Sequence, residues 1–176
     1  MKAKHILLIA VTITFASCQK KPTACFTAPA NVLLRNDVRF TNCSTEAYSY
    51  EWDFGDGVKS NMVAPSHAYY AAGTYEVVLK TTSKNGRKWD EISQPVVICG
   101  KAAFQYPSPY TITVTVGSQT RAGYISTLYS DCYTGVTFIL PIGTYSYTAS
   151  EASPGTHTWN GTFSITAQGC SVMYLP

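Results

Sequence analysis

Apolar residues recur at every second position along much of this chain, and this alternation limits what it can fold into more than any other feature. The clearest case is residues 110–116, where Ile112, Val114 and Val116 fall on one face and three threonines fall on the other. After Cys18, no segment keeps the 3.6-residue helical period over three turns. The sequence therefore predicts an all-β protein, with a half-buried strand at 110–116.

Turn-forming residues divide the alternating segments into short strands. Gly55-Asp56-Gly57 and Asn85-Gly86 both reverse the chain, and the second pair is a strong hairpin signal. Short strands at such spacing are typical of a β-sandwich. The predicted strands are 25–28, 38–42, 49–54, 73–82, 87–98, 110–116, 122–130, 136–140, 144–149, 158–166 and 170–175.

A domain boundary is predicted near the middle of the chain. Gly100, Pro107 and Pro109 lie close together, and the prolines cannot donate ladder hydrogen bonds. We therefore expect a first domain at 24–99, a linker at 100–109 and a second antiparallel sandwich domain at 110–176. Charge is also unevenly divided between the two halves, because residues 100–176 carry only Lys101, Arg121, Asp131 and Glu151 as charged side chains.

The first 23 residues have the layout of an export signal followed by a tether. Lys2 and Lys4 precede an apolar run at 6–15, and two small residues precede Cys18. This segment resembles a bacterial lipoprotein signal, which implies removal of residues 1–17, lipidation of Cys18 and a tether at 18–23. A plain secretory signal is the alternative. The resemblance implies a lipid-anchored protein of the Gram-negative envelope, with the outer membrane expected and its face left open.

Five cysteines remain after Cys18 in a chain expected to enter an oxidising compartment. The number is odd, so at most two bridges form within the chain. Spacing does not determine the pairing. With the expected domain boundary, the leading hypothesis joins Cys25 to Cys43 and Cys132 to Cys170, and leaves Cys99 unpaired at the junction.

One motif of the first domain resembles a known family. It consists of Tyr50-Glu51-Trp52-Asp53-Phe54-Gly55-Asp56-Gly57, then Pro65-Ser66-His67-Ala68-Tyr69, then Gly73-Thr74-Tyr75-Glu76-Val77. Together these segments resemble the polycystic kidney disease (PKD) domain across about residues 24–98. The resemblance implies an immunoglobulin-like β-sandwich of a kind that usually serves as a spacer or interaction module on extracellular proteins.

The residues of the motif have structural explanations. Trp52 and Phe54 are predicted core residues, Asp56 is expected to accept backbone N–H bonds within its turn, and the Tyr75 hydroxyl is expected to fix a corner. His67 is predicted to be a hydrogen-bonded structural residue. Calcium binding at Asp53 and Asp56 is the alternative, but the spacing lacks the full ligand pattern of a calcium loop, so no metal site is predicted.

The second domain resembles transthyretin-like and carboxypeptidase-regulatory-like sandwiches. The likeness rests on residues 136–149, where a strand, Leu140-Pro141-Ile142-Gly143-Thr144-Tyr145 and a second strand read as a hairpin. It implies a small accessory β-sandwich of the kind found in bacterial secreted proteins.

Function is expected to be binding without catalysis. The chain has none of the common nucleophile, metalloprotease, dinucleotide, phosphate-loop or Cys-x-x-Cys motifs, so neither an enzyme nor a cofactor is predicted. A formal charge of +3 that includes the two signal lysines argues against nucleic acid. A protein or envelope-assembly partner is the leading expectation, a glycan is the alternative, and a mere spacer is a third reading. The candidate ligand-contacting aromatics are Tyr124, Tyr129, Tyr133 and Trp159.

Overall fold

The structure, a computed structural model, describes residues 20–106, 108–125, 135–152 and 157–175, and only the backbone at 108, 109, 124 and 125. These residues form fifteen strands and no helix. The predicted all-β class and the two sandwiches are confirmed. Within the described ranges, no helix has the length and apolar character needed to cross a membrane.

The first sandwich packs one larger sheet against two small ones. In the larger sheet the strand order is the first part of β9 (Trp89–Gln105), then β8 (Gly73–Thr82), β5 (Ser49–Asp53) and β6 (Lys59–Ser60). β2 (Val32–Leu33) pairs in parallel with β9. Opposite lie two pairs, β1 (Phe26–Thr27) with β4 (Thr41–Asn42) and β3 (Asp37–Arg39) with β7 (Ser66–Ala68). The buried core between them is Phe26, Val38, Phe40, Trp52, Phe54, Tyr69, Val77, Leu79, Val96 and Ile98.

The second sandwich packs a four-stranded sheet against a three-stranded one. The four strands are β11 (Gln119–Ile125), β10 (Ser108–Val116), β13 (Gly143–Glu151) and β14 (Thr158–Ile165), all antiparallel. The other sheet is β12 (Val136–Leu140), the end of β9 and β15 (Cys170–Tyr174). Ile112, Val114 and Val116 are buried in the core, which confirms the half-buried strand that their alternation predicts.

The predicted linker at 100–109 is the main difference from the sequence analysis. Residues 100–105 continue β9, which pairs with β8 along its first part and with β12 and β15 along its last. Residues 108 and 109 already belong to β10. The physical reason is that Ala102 and Phe104 are fully buried in the core of the second sandwich, while Pro107 comes after β9 has ended.

The predicted hairpin at 136–149 is also different in the structure. β12 pairs with β9, whereas β13 pairs with β10 and β14, so the turn at Pro141 carries the chain from one sheet to the other. Alternation places Phe138 and Ala149 in the shared core from opposite sides. Sequence alternation shows that both strands have an apolar face, but it does not distinguish strands in one sheet from strands in two.

Closely packed glycines join the two sandwiches. A Cβ on Gly100 would lie 2.8 Å from Gly169 Cα and 2.5 Å from Ile165 Cγ2. The Lys101 N–H donates to Gly169 O over 2.6 Å, and the Ala72 N–H donates to Ala167 O over 2.9 Å. Backbone hydrogen bonds and a shared strand therefore connect the sandwiches directly.

The cysteines that the structure describes lie in three parts of the molecule. The predicted bridge between Cys25 and Cys43 is present in the first sandwich. Cys99 is unpaired and buried at the junction. Cys170 is disulfide-bonded, but its predicted partner Cys132 lies outside the described residues.

Candidate functional site

The turn after β5 is held by its own aspartates. Asp53 Oδ1 accepts the Gly55 N–H over 3.0 Å, and Asp56 Oδ1 accepts the Val58 N–H over 3.1 Å. Gly55 has a φ of 80°, and a Cβ there would lie 2.7 Å from Glu76 O. Glycine is required at this position because the turn both adopts the left-handed region and packs on the backbone of β8.

The second Asp56 oxygen binds His67, which connects the turn to β7. His67 Nε2 lies 2.7 Å from Asp56 Oδ2, and the imidazole stacks on Phe54 with ring centroids 4.4 Å apart. The Tyr69 hydroxyl donates to Phe54 O, and the Tyr75 hydroxyl donates to Ala71 O over 2.8 Å. The polar side chains of Asp53, Asp56, His67, Tyr69 and Tyr75 thus each have a partner within the fold, which supports a structural role.

The negative charge of Asp53 at this turn is balanced by an exposed lysine. Asp53 forms an ion pair with Lys59 at 3.0 Å. The backbone hydrogen bond from Gly55, together with Lys59, holds the pKa of the Asp53 carboxyl below its usual range. Among the residues that the structure describes, no group of three or more His, Cys, Asp or Glu side chains is placed to hold a metal ion.

An exposed apolar pair projects from the loop between β6 and β7. Met62 and Val63 are 64% and 60% exposed. Their carbonyl oxygens accept hydrogen bonds from Trp52 Nε1 and Asn42 Nδ2, over 2.9 Å and 2.7 Å. The loop backbone is therefore held in place while its apolar side chains point to solvent, an arrangement typical of contact surfaces.

A second cluster lies at the end of the second sandwich where β9 stops. Glu151 is only 5% exposed, and its Oε2 lies 3.0 Å from Nδ1 of the exposed His157. Trp159 stacks beside His157 and also contacts Tyr106, with ring centroids 6.1 Å and 4.7 Å apart. A buried carboxylate beside an imidazole and two aromatic rings can bind a polar ligand that also has an apolar face.

Hydroxyl groups cover the outer face of the adjoining four-stranded sheet. Thr115 and Thr120 share one hydrogen bond across strands, and Thr144 and Ser164 share another, each 2.9 Å long. A depression of about 300 Å³ on this face is lined by Thr113, Thr115, Thr148, Ala149, Ser150, Thr158, Trp159 and Asn160. The predicted charge-poor Thr and Ser surface is therefore present.

The structure does not favour a cysteine nucleophile. Cys99 is fully buried, and burial raises the pKa of its thiol, which disfavours the reactive thiolate. Its sulfur lies 3.9 Å from Asn31 Oδ1. Each histidine in the described ranges lies against a carboxylate, His67 against Asp56 and His157 against Glu151.

Of the four candidate aromatics, one has its side chain among the residues that the structure describes. Trp159 is partly buried at the edge of the second core. Tyr129 and Tyr133 lie outside the described residues, as does the side chain of Tyr124. Sequence reasoning missed Tyr106, Glu151 and His157. Period-2 alternation could have identified one of them, because it places Glu151 on the same inward face as Ala149 and so predicts a buried carboxylate.

Residues 19–98 match the family model of the PKD domain. This range includes the whole turn built on Asp53 and Asp56. The chain carries a PKD domain.

Curated relatives match this PKD domain and little else. Collagenase ColA of Clostridium perfringens is 36% identical over 80 residues, which is 43% of this chain and 7% of the collagenase. Collagenase ColQ1 of Bacillus cereus is 34% identical over 74 residues, 39% of this chain and 8% of the collagenase. The chain thus spans less than a tenth of the length of these relatives.

Solved structures also resemble this chain. The PKD1 domain from the Vibrio cholerae metalloprotease PrtV is 32% identical, with a TM-score of 0.40, and covers 45% of this chain and 98% of its own. A structure titled for carbohydrate-binding modules of the β-sandwich superfamily is 18% identical with a TM-score of 0.45, covering 76% of this chain and 58% of its own.

The amino-terminal segment joins the PKD domain at one end, and β9 continues into the second sandwich at the other end. Near the amino terminus, Thr23 bridges to Thr45, and the Ala24 N–H donates to Asp90 at the start of β9. The cluster around Trp159 lies beyond the opposite end of that strand. Because a strand rises about 3.3 Å per residue, the 17 residues of β9 separate the two ends by roughly 50 Å.

Proposed function

We propose that this protein is a non-catalytic, lipid-anchored module of the Gram-negative cell envelope that binds another protein. In this proposal Cys18 carries the lipid, and the PKD domain both spaces and binds. We also infer that the second sandwich is of the transthyretin-like class. The packing of a four-stranded sheet against a three-stranded one in a small β-sandwich supports that inference.

The apolar pair Met62 and Val63 is the observation that carries the proposal. An apolar surface contributes most to binding when it needs little ordering, and here three backbone contacts hold the loop before any partner arrives. The third contact is the Phe40 N–H, which donates to Pro65 O over 3.1 Å. A protein with a complementary apolar recess fits this surface.

Crosslinking in cells tests the protein contact. A photoreactive residue at Met62 is expected to give a discrete crosslinked product, whereas one at Ser146 on the hydroxyl face is expected to give none. Val63→Glu should abolish the product by placing a charge in the contact. Val58→Glu is the matched control, because Val58 is also an exposed valine. Equal products with Val63→Glu and with Val58→Glu would contradict the proposed contact.

Lipid attachment is tested separately at Cys18. The protein should fractionate with membranes, and mass spectrometry should find acyl chains on its amino-terminal cysteine. Cys18→Ala should release the protein into the soluble fraction with its PKD domain still folded. A soluble wild-type protein with an unmodified Cys18 would contradict the anchoring.

Glycan binding is the second candidate, and the cluster at the end of the second sandwich favours it. Trp159 lies on the inward face of β14, opposite Ala149 and beside His157, so a sugar at this end could stack on the ring and hydrogen-bond to the exposed imidazole. Binding measured on glycan arrays should be lost with Trp159→Ala and retained with Trp89→Ala, which removes an exposed tryptophan from the PKD domain. Retention of binding by Trp159→Ala would exclude this site.

A further inference from the structure

We propose that the β8–β9 hairpin end of the PKD domain docks on an anionic phospholipid bilayer. The proposed surface consists of the hairpin at residues 84–89 with the adjacent Tyr48, and it is called the hairpin end below. This inference rests on the proposed lipid anchor at Cys18. It adds that the protein also contacts the membrane with its folded surface, which fixes its orientation.

The path of the chain brings this end to the bilayer. Lys21 Nζ lies 2.6 Å from Asp90 Oδ1, and Lys20 Nζ lies 3.1 Å from Glu46 Oε1. Three residues of extended chain span at most about 11 Å. A lipid on Cys18 therefore keeps the start of β9, and with it the hairpin end, within roughly that distance plus the length of the Lys21 side chain from the headgroups.

The charges at this end suit an anionic surface. Lys84, Arg87 and Lys88 all belong to the exposed hairpin. Lys20 and Lys21 lie beside them with Glu46 and Asp90, and Lys80 and Glu91 are neighbours across β8 and β9, so six cations and three carboxylates leave a net charge of +3 at this end. Clustered lysine and arginine beside a lipid anchor are attracted to anionic headgroups and supply the second signal that stable anchoring needs.

Two exposed aromatic side chains complete the surface. Trp89 is 55% exposed and Tyr48 is 65% exposed. The Tyr48 N–H donates to Thr82 O, and Thr82 pairs with Trp89, so both rings stand at the same end of the sheet. Tryptophan and tyrosine are enriched at the level of the headgroups because their rings are partly apolar and partly polar.

The hairpin is rigid enough to act as a fixed contact. The Ser83 N–H donates to Lys88 O over 2.8 Å, and the Gly86 N–H donates to Ser83 O over the same distance. The Arg87 N–H donates to Asn85 Oδ1 over 3.1 Å. Docking here would place the start of β9 at the bilayer and direct the rest of the strand outward, with the second sandwich farther out.

Tryptophan quenching by brominated lipid tests the docking. The full mature, lipidated protein is placed in vesicles of phosphatidylethanolamine and phosphatidylglycerol with brominated chains. We expect emission from the Trp159→Phe protein to be quenched, because it keeps Trp89 at the bilayer. We expect emission from Trp89→Phe to be unquenched, because Trp52 is buried and Trp159 is distant.

Charge variants separate docking from anchoring. Lys84→Gln/Arg87→Gln/Lys88→Gln, made in the Trp159→Phe protein, should reduce the quenching to the level of Trp89→Phe while the lipid remains attached. Arg39→Gln, which neutralises an exposed cation elsewhere, should leave it unchanged. A lipidated protein with no Trp89 quenching would overturn the docking and leave the anchor intact. A mature protein without lipid on Cys18 would overturn both.

Discussion

Asp56 uses its two carboxylate oxygens for two different tasks in the PKD domain. One oxygen closes the turn by accepting the Val58 N–H, and the other binds His67 on β7. The same side chain therefore sets the local backbone and joins two strands that are distant in sequence. At the scale of single residues, this part of the molecule is a set of satisfied polar groups around buried aromatic rings, which suits a scaffold.

The two glycines of the turn should respond differently to substitution. Gly55→Ala should lower the free energy of unfolding by about 3 kcal/mol, because it adds a backbone clash at 2.7 Å to the cost of a left-handed φ. Gly57→Ala also has a positive φ, but its Cβ would meet nothing within 4 Å, so about 1 kcal/mol is expected. Urea unfolding measures both, and equal losses would contradict the close approach to Glu76.

Asp53 should contribute to acid sensitivity. Its pKa in the folded protein is lowered, chiefly by the Gly55 N–H and then by Lys59, so its stabilisation is present above the unfolded pKa of about 4. That stabilisation is lost as the pH falls through the folded value. Asp53→Asn should therefore flatten the decline of unfolding free energy below about pH 4. Asp37→Asn on β3 is the control, and identical curves for the two variants would refute this.

At the scale of elements, β9 determines how the two halves of the molecule are related. Its first part completes the PKD sheet, and its last part is the middle strand of the smaller sheet in the second sandwich. A flexible linker would leave the sandwiches free to reorient, but a continuous strand with ladder partners in both does not. The junction glycines permit the close approach that this continuity requires.

Gly100→Ala should therefore damage the junction. Its Cβ would lie within 2.8 Å of the Gly169 backbone, and a loss of about 2 kcal/mol in unfolding free energy is expected. Gly73→Ala is the matched control, because Gly73 pairs with Ile98 on the same strand and its Cβ would find only ordinary contacts from 3.8 Å. Thermal unfolding compares the two, and a Gly100→Ala protein as stable as the control would show that the junction is loose.

At the scale of the whole molecule, the ends are chemically distinct. The hairpin end is cationic and aromatic, and the far end combines a buried carboxylate with aromatic rings and a hydroxyl face. The chain enters near the first and carries the second about 50 Å away along β9. This chemical difference between the two ends suits a protein that is attached at one end and binds a ligand at the other.

The shared strand should make the two sandwiches unfold together. Native-state hydrogen exchange is expected to give β5 and β13 the same limiting free energy of opening, because neither sandwich keeps its sheet once β9 is lost. A short Gly-Ser insertion between Gly100 and Lys101 should separate the two values. Different values in the uninserted protein would mean that the sandwiches unfold independently.

Sequence alone was sufficient wherever the relevant contact is local. Alternation predicted the buried face of β10 and the exact span of β12, and the glycine-flanked Asp56 predicted a turn closed by its own carboxylate. The span of β8 and the turn at Asn85-Gly86 were also predicted, since strand and turn preferences act over a few residues.

Tertiary structure decided everything that depends on which strands become neighbours. It turned the expected linker into the second half of β9, split the predicted strand at 38–42 between β3 and β4, and placed β12 and β13 in different sheets. It also brought Tyr106, Glu151, His157 and Trp159 to one end. The sequence determined that this protein is all-β and carries a PKD domain. Pairing across long sequence separations determined the rest, because period-2 alternation marks a strand's buried face and leaves its partner unspecified.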